Sequence, residues 1–241
     1  MKTSILALTA ISMLAFSSCK KEKWPYAVKA NGNIAEETRI LSDFEDVAFD
    51  IPGNLYITLD PTIKSPEITI KTSDNLFERI DTKVKNGTLT IETNKCIRKL
   101  KDFDAYLTVK DLEDVSINGS GNIYGVGSLD VDILSFPISG SGNVQFTAHT
   151  VETSILISGS GSITAAGATE DIVMDVSGSG NIKGFDMEAQ NAYINISGSG
   201  NCEVYATEYM DVNISGSGNV DYKGSPRIDI STSGSGSLNS K

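Results

Sequence analysis

Few residues of this chain have the chemistry of a catalytic site. There is a single histidine, and the only class with enough members for acid–base work is the carboxylates. Paired carboxylates cleave glycosidic bonds, one acting as acid and the other as base or nucleophile. Seven acidic residues fall in the variable part of a repeated unit: Asp130, Asp132, Glu152, Glu170, Asp171, Glu188 and Glu208. Because no Asp pair recurs at a fixed position beside Lys or Arg, we predict no catalytic residue and interpret this set as a solvated charged edge.

The sequence also offers few residues that could bind a metal ion or a cofactor. His149 is the single histidine and lies in a variable loop, which excludes most metal sites that need several histidines. A Ser-His-Asp triad could be built only on this residue. Calcium-binding β-rolls repeat Gly-Gly-x-Gly-x-Asp with a nonapeptide period, whereas the unit here is about twice as long and ends in neutral Asn or Ser. Neutral oxygens alone hold a hard cation weakly. We therefore predict no metal site and no cofactor.

The first cysteine, Cys19, is a candidate for lipidation. It ends the sequence Leu-Ala-Phe-Ser-Ser-Cys, which resembles a bacterial lipobox, and it follows an apolar stretch, Ile5 to Phe16, that is too short to span a bilayer. We predict a lipoprotein signal peptide over residues 1–18 and a tether over 19–33. Acyl chains on Cys19 would bind membrane lipid, so we expect secretion across the inner membrane and anchoring in the outer membrane. Periplasmic or exterior exposure stays open.

A repeat dominates the rest of the chain. Gly-Ser-Gly occurs seven times at steps of 18 to 21 residues, beginning at Gly119, Gly140, Gly159, Gly178, Gly198, Gly216 and Gly234. A fixed period near 20 residues indicates a solenoid. Around each triplet, β-branched residues alternate with polar ones, as in a half-buried strand. We predict an all-β, single-stranded parallel β-helix (solenoid) with about seven Gly-Ser-Gly rungs, and expect a right-handed coil. The alternative is an antiparallel meander with hairpin turns.

The apolar positions recur in register from one repeat to the next. Two residues before each triplet stand Ile117, Ile138, Ile157, Val176, Ile196, Ile214 and Thr232, and four before it stand Val115, Phe136, Ile155, Met174, Ile194, Val212 and Ile230. We predict that these columns stack inside the solenoid while polar neighbours such as Asn195 face water. The glycines would permit a tight bend, through positive φ or close backbone packing.

Two cysteines remain after lipidation. Cys202 occupies a position otherwise filled by Ile and Val, so we predict that it is a small buried hydrophobe. A bridge between Cys96 and Cys202 is compatible with an oxidising compartment and stays an open alternative.

Residues 34–112 show the same apolar–turn–apolar design without the triplet, so we predict one domain over 34–241, with an irregular N-terminal portion before regular repeats over 113–241. Asn86-Gly87 suits a type I′ hairpin turn. Asn75 to Arg79 is typical of a helical turn, with Asp74 as its cap. An atypical first segment is expected where a solenoid end must be covered.

Several segments together resemble the head GIN domain family. The resemblance covers roughly residues 34–238 and is carried by Phe44 to Asn54, Asn75-Leu76-Phe77, Val84 to Ile91 and the serial Ile-Ser-Gly-Ser-Gly-Asn units. Members of this family are secreted or lipid-anchored proteins described as autotransporter-adhesin-like. The resemblance implies a β-helical fold and an envelope location, and it supplies no ligand and no catalytic residue.

The net charge and the predicted solenoid shape limit the classes of ligand that the protein could bind. With 20 basic and 31 acidic residues, a net charge of −11, the chain lacks the basic field of a nucleic-acid-binding protein. A solenoid offers long flat faces that suit an extended glycan, a peptide or another protein. The leading hypothesis is a non-enzymatic envelope lipoprotein with a β-helical surface for adhesion or ligand binding, its binding residues and oligomeric state unknown. The alternative is a polysaccharide-acting β-helix enzyme, a lyase or hydrolase. A third possibility is a purely structural spacer or a lipid-interacting protein.

Overall fold

The computed structural model describes residues 27–98, 100 and 102–241, so the predicted signal peptide, Cys19 and most of the predicted tether lie outside the described residues. The chain is all-β, with 65% of residues in strands and 3% in helix, and forms a solenoid of about seven turns that is rich in parallel pairing. This confirms the predicted fold class. Within the described residues, no helix has the length and apolar character needed to cross a membrane.

Ten strands form the regular part: β10 (Asp114–Ile117), β11 (Asn122–Asp130), β12 (Ile133–Ile138), β13 (Asn143–Ile157), β14 (Ser162–Val176), β15 (Asn181–Ile196), β16 (Asn201–Ile214), β17 (Val220–Lys223), β18 (Arg227–Thr232) and β19 (Leu238–Ser240). Every pairing between them is parallel, which excludes the antiparallel meander. Strands β13 to β16 are 14 to 16 residues long, and each runs from one Gly-Ser-Gly segment to the next. The hand of the coil stays a prediction.

The predicted inner column is confirmed. Ile157, Val176, Ile196 and Ile214 pair in register across β13 to β16, and each is at most 1% exposed. The neighbouring Asn195 faces solvent. Stacking like on like in this way removes β-branched side chains from water at every rung, which is the main stabilising contribution available to a solenoid.

The inner columns end at the last rung. The repeat predicts an inward-facing Ile230, but this residue is 52% exposed, and Thr232 is exposed as well. Both lie on β18, which pairs with β16 on one side only among the described residues. Their side chains follow the register of Val212 and Ile214, yet they lack a further rung to cover them.

The Gly-Ser-Gly corners are built on close backbone packing and not on positive φ. None of the fourteen glycines of these triplets has a left-handed φ. Instead, a Cβ at Gly159 would overlap the carbonyl oxygen of Gly140 in the preceding rung. Backbone hydrogen bonds join successive corners, as where the Ser160 N–H donates to the Gly140 carbonyl at 3.0 Å. Only glycine allows backbones to approach this closely at the bend.

Nine strands and one short helix form the N-terminal portion: β1 (Val28–Lys29), β2 (Ile34–Ile40), β3 (Asp46–Phe49), β4 (Asn54–Leu59), β5 (Glu67–Ser73), the 3₁₀ helix Asp74–Arg79, β6 (Ile80–Lys85), β7 (Thr88–Thr93), β8 (Ile97–Arg98) and β9 (Asp104–Val109). The order of rungs in space differs from the order in the chain. Strand β3 lies between β7 and β10, and β4 lies between β9 and β11, all in parallel. The rung formed by β7 and β9 is therefore placed outside the one formed by β3 and β4.

Antiparallel strands cover this end of the solenoid. Strand β6 pairs with β7, β5 pairs with β9, and β2 pairs with β5. The predicted hairpin is confirmed, since Asn86 and Gly87 join β6 to β7 with φ of 53° and 81°. The predicted cap is wrong: Ser73 is the N-cap residue and Asp74 is the first helical residue. The Asp74 carboxylate accepts a hydrogen bond from the Asn31 side chain instead.

Cys202 is buried as predicted. It stacks between Ile182 and Val220 and is 1% exposed, and its thiol is free, so the open alternative of a Cys96–Cys202 bridge is excluded. Burial raises the pKa of the Cys202 thiol to about 12, and the Asp175 carboxylate adds to the rise. The thiol is therefore neutral and unreactive at physiological pH.

Candidate functional site

Three tyrosines stack on the outer side of neighbouring parallel strands. Tyr56 on β4 is in register with Tyr106 on β9 and with Tyr124 on β11. The ring centroids of Tyr56 and Tyr106 are 5.0 Å apart with planes 12° apart, and those of Tyr56 and Tyr124 are 5.2 Å apart with planes 20° apart. We call these three residues the tyrosine ladder. The outward side of β2, β5, β9, β4 and β11 is the tyrosine face.

The ladder presents ring edges and hydroxyl groups to solvent, because each ring lies nearly parallel to its neighbour at a distance close to the spacing of strands. Tyr56 is covered on both sides and is half-buried, whereas Tyr106 is 45% exposed. Burial raises the pKa of the Tyr56 phenol, and the Asp104 carboxylate and both neighbouring tyrosines add to the rise. The Tyr56 phenol is therefore a neutral hydrogen-bonding group over the physiological range.

A row of amide and carboxylate groups runs beside the ladder, two residues before each tyrosine. The Asn54 amide donates to the Asp104 carboxylate at 2.8 Å, and the Asn122 amide donates to the Asn54 side-chain oxygen at 3.2 Å. Asn143 continues the row by donating to Asn122 at 2.9 Å. These bonds fix the register of the strands that carry the tyrosines, because each side chain is satisfied only by its counterpart in the next rung.

One end of the ladder is open. Thr69 on β5 is the register partner of Tyr106, and Thr38 on β2 is the partner of Thr69. The two threonine hydroxyls are 2.8 Å apart and share a hydrogen bond. Threonine side chains are too short to cover a phenol ring as Tyr56 does on the other side. At the opposite end, Gln145 on β13 follows Tyr124 in the register.

The single histidine does contact an acid and a hydroxyl, but not in the arrangement of a triad. His149 Nδ1 is 2.9 Å from the Asp130 carboxylate and 3.1 Å from Ser128 Oγ. A triad requires the carboxylate at Nδ1 and the nucleophile at Nε2, whereas here both groups meet the same nitrogen. His149 and Asp130 are also 61% and 62% exposed. The arrangement is a solvated pair and does not activate the serine.

His149 lies in a shallow groove of about 500 Å³ whose lining includes three of the predicted acidic residues, Asp130, Asp132 and Glu170. Hydrogen bonds from Ser128 and His149 hold the pKa of Asp130 below its ordinary value. A general acid for glycoside cleavage needs the opposite, a raised pKa. Among the described residues, His, Cys, Asp and Glu form no group of three that could hold a metal ion.

None of the other four predicted acidic residues lines this groove, and two of them, Glu152 on β13 and Asp171 on β14, are register partners. Glu152, Glu188 and Glu208 are exposed, in agreement with the interpretation as a charged edge. Asp171 is half-buried and accepts a hydrogen bond from the Asn191 amide at 2.8 Å.

Sequence reasoning missed the tyrosine ladder, although a signal was available. Each tyrosine ends an Asx–apolar–Tyr triplet: Asn54-Leu55-Tyr56, Asp104-Ala105-Tyr106 and Asn122-Ile123-Tyr124. The triplets are far apart in the chain, and the rung order that brings β9 next to β4 could not be read from the period of the later repeats.

Residues 43–226 match the family model described as "Putative auto-transporter adhesin, head GIN domain". A crystal structure of a "putative adhesin" from Bacteroides fragilis has a TM-score of 0.84 at 24% identity, covering 89% of this chain and 100% of that one. A "putative lipid binding protein" from Parabacteroides distasonis has a TM-score of 0.75 at 28% identity, covering 89% and 99%. A "putative adhesin" from Parabacteroides merdae has a TM-score of 0.70 at 20% identity, again covering 89% and 99%. No curated protein sequence matches.

Proposed function

Because the chain belongs to the head GIN domain family, we propose that it is a non-enzymatic lipoprotein of the bacterial cell envelope whose β-helical surface binds a ligand in adhesion. The tyrosine face is the observation that carries the proposal. It is broad and open, it bears three stacked aromatic side chains, and its polar groups are held in fixed positions by the strand register. The description of the family as adhesins, and of one structural neighbour as lipid-binding, supports binding over catalysis.

In this proposal the protein is held at the outer membrane by acyl chains on Cys19, after removal of residues 1–18. Residues 19–33 form the tether and 34–241 the binding domain. Metabolic labelling with a fatty-acid analogue tests the anchor: the wild-type protein incorporates label and partitions into detergent, and Cys19→Ser does neither. Equal labelling of the two proteins would contradict the assignment.

Adhesion requires that the binding domain be reachable from outside the cell. Protease treatment of intact cells is expected to cleave the protein while a periplasmic marker stays intact. Beads coated with the purified full chain should then bind to surfaces or extracts that carry the ligand. Cleavage only after the outer membrane is permeabilised would contradict the adhesive role and favour a binding protein of the periplasm.

The alternative, a polysaccharide lyase or hydrolase, would use the groove lined by Asp130, Asp132 and Glu170. The groove is open to solvent, and the lowered pKa of Asp130 keeps this carboxyl ionised, so it cannot act as the general acid. Incubation with a polysaccharide panel is expected to release neither reducing nor unsaturated sugars. Release that disappears in Asp132→Asn would overturn the non-enzymatic proposal.

A further inference from the structure

We infer that the open end of the tyrosine ladder is a binding site for a neutral sugar residue of a glycan, which stacks on the uncovered side of Tyr106 above Thr69. The inference rests on the proposed binding function and names the ligand class and the site. We call the space between Tyr106 and the pair Thr38 and Thr69 the threonine niche.

The niche continues a stack that the protein has already begun. The ladder repeats rings at 5.0 and 5.2 Å, which is close to the spacing of the strands that carry them. At the next register position the chain supplies Thr69 and then Thr38 in place of a fourth ring. A flat ligand ring placed there meets Tyr106 on one side and a floor of two threonines below. Tyr106 is 45% exposed, in agreement with a ring that a neighbouring ring covers on one side only.

Hydrogen-bonding groups surround the niche on both flanks. On one side Lys71 is the register neighbour of Asp104 and Glu36, and its ammonium group lies 3.2 Å from the Glu36 carboxylate. On the other side the register places Glu67 of β5 beside Thr69. Carboxylates accept and an ammonium group donates, while threonine hydroxyls do both. A ring that carries several hydroxyl groups can satisfy all of them.

This set of groups favours a neutral sugar over other ligands. The apolar face of a hexose packs on an aromatic ring while its hydroxyls reach polar neighbours, so neither partner loses hydrogen bonds on burial. A lipid chain would remove the charged Lys71 and Glu67 from water without offering either of them a hydrogen bond, which costs free energy. An anionic ligand would meet the carboxylates of Glu36, Glu67 and Asp104 on a protein of net charge −11.

The site is rigid before a ligand arrives. Tyr106 is held by its stack on Tyr56, and Thr38 and Thr69 hold each other through their hydrogen bond. Strand β5 is paired on both edges, with β2 and β9. Side chains that are already ordered lose little conformational entropy on binding, which favours affinity for a ligand that makes few contacts.

The test uses the detergent-solubilised full chain and isothermal titration with neutral oligosaccharides of glucose, mannose, galactose and xylose. Tyr106→Ala is expected to weaken binding at least about tenfold, because the stacking surface is removed. Thr69→Tyr is expected to abolish binding by filling the niche with a fourth ring while the melting temperature is kept. Tyr193→Ala is the matched control, since Tyr193 is 42% exposed but lies outside the ladder, and it should bind like the wild type.

The outcomes separate the site from the function. Binding by the wild type that survives both Tyr106→Ala and Thr69→Tyr would refute the niche while leaving the adhesive function intact. Binding to phosphatidylglycerol or phosphatidylcholine vesicles without binding to any oligosaccharide would refute the sugar and favour a lipid ligand. Failure to bind sugars, vesicles or cells would refute the proposed function together with the site.

Discussion

Replacing Gly200 by alanine is expected to destabilise the solenoid far more than replacing the adjacent Ser199. A Cβ at Gly200 would overlap the carbonyl oxygen of Gly180 in the preceding rung and lie 2.7 Å from Val176 Cγ1. Real Cβ atoms essentially never lie within 3.0 Å of such neighbours, so the two rungs must separate at the corner. The φ of Gly200 is not left-handed, so the penalty comes from space alone. Ser199 is exposed, and the backbone bond from its N–H to the Gly178 carbonyl remains in Ser199→Ala.

The loss of unfolding free energy in Gly200→Ala is the sum of two contributions. Overpacking a close-packed site costs about 1–3 kcal/mol. Separation of the rungs also weakens the adjacent bond from the Ser199 N–H to the Gly178 carbonyl, and its loss adds about 1–3 kcal/mol. Gly200→Ala should therefore lose about 2–6 kcal/mol of unfolding free energy, a large share of the roughly 5–15 kcal/mol typical of a folded domain. Ser199→Ala should change it by less than about 0.5 kcal/mol.

Urea unfolding followed by far-ultraviolet circular dichroism measures both variants on the same scale. A smaller denaturant slope in Gly200→Ala would indicate that the rungs after the substitution are already open in the native state, which is also expected from the predicted separation. If Gly200→Ala unfolds within about 1 kcal/mol of Ser199→Ala, the close approach of backbones is not the reason for glycine at this corner.

Three further predictions concern buried and half-buried side chains. Ile196→Asp should lower the free energy of unfolding by about 3–5 kcal/mol, because it places an unpaired carboxylate in the inner column. Asn195→Asp should lower it by under about 1 kcal/mol. Equal losses of the two variants in thermal melts would contradict the assigned register. Burial raises the pKa of Asp114 and the Asp46 carboxylate adds to the rise, against a hydrogen bond from Ser135. The folded chain therefore binds the proton of the Asp114 carboxyl more tightly than the unfolded chain, and burying the charged form destabilises the fold at neutral pH. Asp114→Asn should raise the melting temperature near pH ~7 but not near pH ~3. An equal gain at both pH values would show that burial of the charge is not the reason. Cys202, whose pKa is raised to about 12, should stay unmodified by iodoacetamide in the native protein at neutral pH and react once unfolded in urea, as read by peptide mapping; rapid native labelling would contradict its burial.

The regular repeats were predictable because each position is dictated by its nearest neighbours. A period near 20 residues with alternating β-branched side chains places Ile196 inward and Asn195 outward, and it also places Cys202 among the Ile and Val positions. The exposure of Ile230 could not be read in this way, because it depends on whether another rung covers the last one and not on the repeat.

The tyrosine ladder could not be predicted from the sequence, for a different reason. Tyr56 and Tyr106 meet because β9 returns to lie beside β4, a pairing between residues 50 positions apart whose neighbours carry no common period. The pattern of apolar residues identified β4 and the hairpin of β6 and β7 individually. It did not specify which strands become neighbours, since many pairings would bury the same apolar faces equally well.

The interleaved rung order has a consequence for how the chain folds. Strand β3 contacts β7 through residues 42 positions away and β10 through residues 68 positions away, whereas successive regular rungs join residues only 18 to 21 positions apart. Closing long loops slows folding, so the later repeats are expected to assemble faster than the end that is synthesised first. An emerging chain cannot complete the rung of β3 and β4 until β10 and β11 are also available. The N-terminal portion therefore stays incomplete until the first regular rung, formed by β10 and β11, has been synthesised.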